Sequence, residues 1–159
     1  MADNLKVVAE PGSHAIHITN EFNAPLEKVF KAYTDKDAVV KWWGGRTYET
    51  TVDKYDPRSG GEWRFVQKGP DGNDYGFHGV FHEVAKNERI TWTFEFEGLP
   101  EPGHVALETV YFSEEDGKTK LKIVSVYLSV EDRDGMVQSG MEKGLREGMD
   151  VLRSIVEEA

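Results

Sequence analysis

Six runs between Tyr48 and Ser129 alternate apolar and polar residues, and this pattern constrains the chain more than any other feature. ERITWTFEFEG is the clearest, with Ile90, Trp92, Phe94 and Phe96 facing one way and Thr91, Thr93, Glu95 and Glu97 the other. Side chains along a strand point to opposite faces in turn, so a period of two describes a strand with one dry and one wet side. The same alternation runs through YETTVDKYD, GGEWRFVQK (Trp63, Phe65), DYGFHGVFHEV (Phe77, Phe81), HVALETVYFSE and KTKLKIVSVYLS. RSGG, GPDGND, AKNE, EGLPEPG and EEDGK separate them and read as turns, so hairpins join the strands into an antiparallel meander. A sheet with one apolar face needs something laid across it.

The flanking segments supply that cover. HAIHITNEF is a further half-buried strand, with Ile16, Ile18 and Phe22 on one side. In NAPLEKVFKAYTD, Asn23 is placed to cap a helix, Pro25 fits its first turn, and Leu26, Val29, Phe30 and Tyr33 follow at helical spacing. A short helix, DKDAVVKWW, begins near Asp35 and stops at Gly44 and Gly45. From Ser129, a capping residue, the pattern predicts one helix almost to the end. Val137, Met141, Leu145, Met149, Leu152, Ile155 and Val156 share half of its wheel, and Lys143, Arg146, Glu147, Asp150, Arg153 and Glu157 lie opposite. Gly140, Gly144 and Gly148 fall in the apolar half. Each glycine inside a helix costs roughly 1 kcal/mol relative to alanine, so the stripe predicts either close backbone packing or a groove. The predicted fold is α+β in the order β-α-α-β6-α. A curved antiparallel sheet wraps a long C-terminal helix in a single domain, 1–159, with its ordered core at about 14–157.

Charge and composition narrow the partners. The 19 Lys and Arg against 29 Asp and Glu give a net charge of −10 without a charged tail, which disfavours nucleic acid and anionic membranes. The chain has no cysteine, so it builds neither disulfides nor thiolate metal sites, as suits a reducing compartment. MADNLKVVAEPGSH has no basic region followed by a long apolar stretch. Neither a signal peptide nor a membrane anchor is expected, and a cytoplasmic location is.

No motif declares a reaction. His78 and His82 share a strand face but lie roughly 13 Å apart, too far for one ion, and no metal or cofactor is implied. RSGGEW joins two strands where a phosphate loop would need a strand and a helix. No serine sits in a nucleophile setting. Arg46, Glu62, Arg64, His78, Glu95 and the tyrosines remain acid-base candidates if they converge in a cavity. The best candidate site is the inner aromatic set Trp63, Phe65, Phe77, Phe81, Trp92 and Phe94, facing Met141, Leu145 and Met149. Gly144 is a candidate groove wall. Trp43 is a candidate rim, because one of two adjacent indoles must point away from whatever buries the other.

Four stretches in this order and spacing resemble one family over nearly the whole chain: NAPLEKVFKAYTD with KWWGG, DPRSGGEWRF, GVFHEVAKNERITWTF and SVEDRDGMVQSGMEKGLREGMDVL. They are similar to the START-like (SRPBCC, Bet v 1-like) superfamily, in the branch of heat-shock-protein-90 ATPase activator homologues. The resemblance implies a helix-grip fold with a cavity between sheet and C-terminal helix. It also implies binding of a small apolar or amphipathic molecule, with a cyclase or aromatase using the same cavity and a co-chaperone of heat-shock protein 90 as alternatives. The family commonly has Gly-Trp where this chain has Gly144 and Leu145, so a reshaped cavity is expected there.

Overall fold

The alternating runs fold into a single antiparallel sheet. The computed structural model describes residues 4–158. Its strands are β1 Lys6–Val8, β2 Ala15–Phe22, β3 Glu49–Tyr55, β4 Glu62–Lys68, β5 Asp74–Ala85, β6 Arg89–Phe96, β7 Val105–Glu115 and β8 Lys118–Val126. The helices are α1 Leu26–Thr34, α2 Lys36–Trp42, α3 Val130–Gln138 and α4 Met141–Glu157. The sheet order is β1-β2-β8-β7-β6-β5-β4-β3, so the six predicted strands form a hairpin meander and β2 closes onto β8. This is the helix-grip α+β fold. β1 adds an eighth strand that the sequence pattern does not announce: three residues, paired with β2 as Lys6↔Thr19 and Val8↔His17.

The inner row of the sheet is the core. Ile16, Ile18 and Phe22 of β2, Trp63 and Phe65 of β4, Ile90 and Trp92 of β6, Val110 and Phe112 of β7, and Leu121 and Ile123 of β8 are all buried. α1 and α2 close one end through Val29, Phe30, Tyr33, Val39 and Trp42. Asn23 does not cap α1. The helix starts after Pro25, and the free N–H groups are taken by distant carboxylates: Asn23 N–H donates to Glu157 at 2.8 Å and Leu26 N–H to Glu114 at 2.6 Å. Asp35 and Ser129 do cap, accepting from the N–H of Asp37 and Asp132.

The single C-terminal helix expected from Ser129 is two helices. Gly140 has a φ of 85°, a left-handed conformation that ends α3, and α4 starts at the next residue. Gly140 therefore belongs to a joint, and Val137, on the far side of that joint, is 42% exposed. A second departure concerns Arg153. The wheel puts it on the wet side, but it is buried, donating to the Glu21 carbonyl (2.9 Å), Asn20 Oδ1 (3.1 Å) and Glu157 (2.9 Å) above the Phe22 ring. Asn20 occupies an inner position of β2, so a polar acceptor there draws the guanidinium inward and ties α4 to the sheet.

Candidate functional site

Trp42 and Trp43 part company at the end of α2. Trp42 goes into the helical layer, where its indole N–H donates to the Ala32 carbonyl at 2.9 Å and its ring lies 4.7 Å from Tyr33. Trp43 turns over the sheet. Its ring centroid lies 4.8 Å from Phe65, 5.2 Å from Phe77, 5.9 Å from Trp63 and 6.4 Å from Phe94. The chain of rings continues from Trp63 to Trp92 (5.5 Å) and from Trp92 to Phe81 (5.3 Å). The structure thus brings together Trp43, Trp63, Phe65, Phe77, Phe81, Trp92 and Phe94. Trp63, Phe65, Phe81 and Trp92 are fully covered, whereas Trp43, Phe77 and Phe94 are only partly so.

Along α4, coverage of the apolar residues also differs. In its second half Met149, Leu152 and Val156 are sealed at 3%, 0% and 1% exposure, and in its first half Met141 and Leu145 are partly uncovered. A Cβ placed on Gly148 would meet the Trp42 carbonyl oxygen at 2.6 Å, so that glycine serves backbone packing. A Cβ on Gly144 would meet nothing within 4 Å. Glu147 anchors this part of α4 to the loop after α2, accepting from Arg46 N–H (3.2 Å) and the Thr47 hydroxyl (2.9 Å). Gly144 consequently sits beside the turn that carries Trp43.

Of the acid-base candidates, Tyr55 joins the rings, 5.5 Å from both Phe65 and Phe81, while the charged ones gather elsewhere. Trp63 and Phe65 point inward, so Arg64 points outward, and there it meets Glu97 through two 2.8 Å hydrogen bonds. His78 lies 2.8 Å from Glu97 and 3.2 Å from Glu95. The Arg64 hydrogen bonds, opposed by partial burial and assisted by His78, hold the Glu97 carboxyl down at about 2. Glu62 pairs with Lys54 at 3.9 Å, and Arg46 is exposed. These charges do not converge with the aromatic set: Glu62, Arg64, His78 and Glu95 occupy the opposite face of the sheet, and Arg46 lies in the loop after α2. Among the described residues no three metal-ligating side chains gather.

Sequence reasoning missed the ionisable group that does lie on the inner face. In HVALETVYF, Ala106, Val110 and Phe112 form the buried row, and Glu108 stands in it. Trp92 Nε1 donates to Glu108 Oε1 at 2.9 Å and Ser125 Oγ to Oε2 at 2.7 Å. The charge of Glu108 is felt at the Tyr127 and Tyr33 phenols. Burial pushes the Glu108 carboxyl above the ordinary carboxylate range, against the lowering effect of its two donors. It also pushes the phenols of Tyr33, Tyr55 and Tyr127 up, so all three stay protonated donors, with Tyr55 donating to the Tyr33 carbonyl. The signal was available in the alternation: a Glu in a row otherwise made of Ala, Val and Phe.

Two surface clefts lie away from this inner face. One of about 710 Å³ is bordered by Lys6, Thr19, Tyr111, Lys120 and Lys122, and one of about 490 Å³ by Arg46, Tyr48, Lys68 and Gly69.

Residues 23–157 match the family described as activator of Hsp90 ATPase homolog 1-like protein, a span from the start of the α1 segment to the end of α4. The chain belongs to that family, within the SRPBCC, Bet v 1-like fold. No curated protein matches it. Solved structures share the fold: protein Ms6760 from Mycobacterium smegmatis at 24% identity, 95% coverage of both chains and a TM-score of 0.86. A protein from Rhodobacter sphaeroides gives 24% identity, 98% and 99% coverage and 0.86, and one from Arthrobacter aurescens 23%, 97% and 92%, and 0.87. Among the described residues no helix is long and apolar enough to cross a membrane.

Proposed function

We propose that this member of the activator of Hsp90 ATPase homolog 1-like family binds a small apolar or amphipathic molecule between the first half of α4 and the aromatic face of the sheet. One observation carries the reading: the open space at Gly144, flanked by the partly uncovered Met141 and Leu145 beside Trp43, while Met149, Leu152 and Val156 further along the same helix are sealed. A helix built only for packing has no use for glycine where nothing approaches. Burial of a ligand's apolar surface against the rings supplies affinity at roughly 25 cal/mol per Å² removed from water. The partly covered Trp43, Phe77 and Phe94, with Met141 as an adaptable thioether, are the residues we assign to contact it, over a floor of Trp63, Phe65, Phe81 and Trp92 and beside Met149.

Gly144→Leu tests this. Titrated with the neutral fluorophore N-phenyl-1-naphthylamine, the parent protein gives a saturable blue-shifted emission. The variant keeps its circular dichroism, melts no lower than the parent and loses the signal. Retained binding in a folded variant removes the site from beneath α4. Catalysis of the cyclase or aromatase kind in the same space needs an ionisable group on the inner face, and Glu108 supplies one; turnover lost in Glu108→Gln with binding retained distinguishes it.

A further inference from the structure

Glu108 holds a carboxylate among uncharged groups. The donors on it are the Trp92 indole of β6 and the Ser125 hydroxyl of β8. Tyr33 of α1 and Tyr127 beyond β8, both close enough to feel the Glu108 charge, are neutral phenols. Arg133 of α3, which acts on Tyr127, directs its guanidinium to the carbonyls of Ala15 and Glu10 and to Asp134. Among the described residues no cation answers Glu108. A buried carboxylate is costly without a partner of opposite charge, and two neutral donors fill only half of its roughly four acceptor positions. Glu108 is nevertheless only half-buried although its row faces inward, which leaves it room for another contact. Glu108 meets the N–H edge of Trp92, and from Trp92 the rings continue to Trp63 at 5.5 Å and from Trp63 to Trp43 at 5.9 Å. An apolar body attached to a cation on Glu108 has that run of rings to lie against.

We infer that the ligand is a hydrophobic amine, its ammonium group on Glu108 and its apolar body among Trp43, Trp63 and Phe94. This rests on the binding site proposed beneath α4 and adds the charge of its occupant. Specificity then comes from one ion pair in a site otherwise read by burial. A neutral molecule of the same shape leaves the carboxylate unpaired, and an anionic one faces like charge.

The matched probes are 2-(1-naphthyl)ethylamine and 2-(1-naphthyl)ethanol, measured by calorimetry and by displacement of the neutral fluorophore. The amine is expected to bind about tenfold or more tightly than the alcohol at about pH 8, as a charge-assisted hydrogen bond in a desolvated site predicts. Glu108→Gln, which keeps an amide oxygen for Trp92, is expected to bring the two within about threefold, the level left when neutral hydrogen bonds alone discriminate. The unaltered protein supplies a second arm. An alkyl ammonium stays protonated throughout, so as the pH is lowered the raised Glu108 carboxyl protonates before the ordinary carboxylates, and the preference for amine shrinks with it. Equal binding of both probes overturns the charge assignment and leaves the site. A preference that survives Glu108→Gln overturns the role of Glu108. Binding of neither probe overturns the site beneath α4 and this inference with it.

Discussion

The Trp42 carbonyl oxygen stands 2.6 Å from where a side chain would begin on Gly148, so α2 and α4 touch backbone to backbone. Trp42 is held there by its own indole N–H on the Ala32 carbonyl and by Tyr33, and a shift of the α2 end would disturb the buried pair. Gly148→Ala is expected to destabilise the protein by about 1–3 kcal/mol, the usual penalty for overpacking a close contact. Gly144→Ala, four residues earlier in the same helix, meets nothing within 4 Å and is expected to stabilise by about 0.5–1 kcal/mol through reduced backbone entropy. Urea unfolding of the two variants beside the parent checks the contrast; equal and opposite signs reversed, or two equal losses, would refute it.

These glycines also mark the limit of what the chain discloses before it folds. The strands were legible because their signal is local: Ile90, Trp92 and Phe94 lie inward for the same reason that they alternate. Gly140, Gly144 and Gly148 look identical on a wheel, yet one ends a helix at positive φ, one borders space and one admits a carbonyl. Only the position of α2 distinguishes the last two, and that is a tertiary fact. Arg153 was misplaced for a related reason, since the acceptor that draws it inward, Asn20, lies 133 residues away. The aromatic set was readable row by row, and its assembly around Trp43 depended on which of two adjacent indoles turned inward. Glu108 was in view in the buried row of β7, but the charges that catch the eye, Arg64, His78 and Glu95, belong to the wet row.

His104, in the loop before β7, reaches α3 through a 2.9 Å contact from Nδ1 to Asp132, with Glu101 at 3.8 Å from Nε2. The Asp132 hydrogen bond and its charge raise the imidazole above its ordinary 6.5. A raised histidine pKa in the folded state means the stabilisation is complete below the unfolded value of 6.5 and fades as the pH climbs through the folded value. The imidazole resonances are expected to titrate above 6.5, and Asp132→Asn to bring the midpoint back toward it. The backbone cap on Ser129 comes from the Asp132 N–H and survives the substitution, so a change in midpoint with unchanged helix content isolates the side-chain contact. An unchanged midpoint rules the contact out.

Glu97 carries the opposite linkage. Arg64 grips its carboxylate with two parallel hydrogen bonds of 2.8 Å, an arrangement that fits the planar guanidinium fork, and His78 adds a third contact at 2.8 Å. Its pKa is lowered from 4.5 to about 2, so the cluster's contribution is complete above 4.5 and is lost as the pH falls through about 2. Carbon-detected NMR of the carboxyl groups should find Glu97 still ionised when ordinary glutamates have protonated. Arg64→Gln removes the largest cause of the shift, leaving His78 as the remaining partner, and is expected to move the midpoint up toward 4.5. His78→Gln should move it less, since the Arg64 hydrogen bonds outweigh that of His78. The cluster is partly exposed, at 35% for the Arg64 side chain and 29% for Glu97, so water and salt screen the pair and its effect on global stability is small. A titration midpoint reports the local contact directly, and a Glu97 that titrates with the other glutamates would dissolve the cluster.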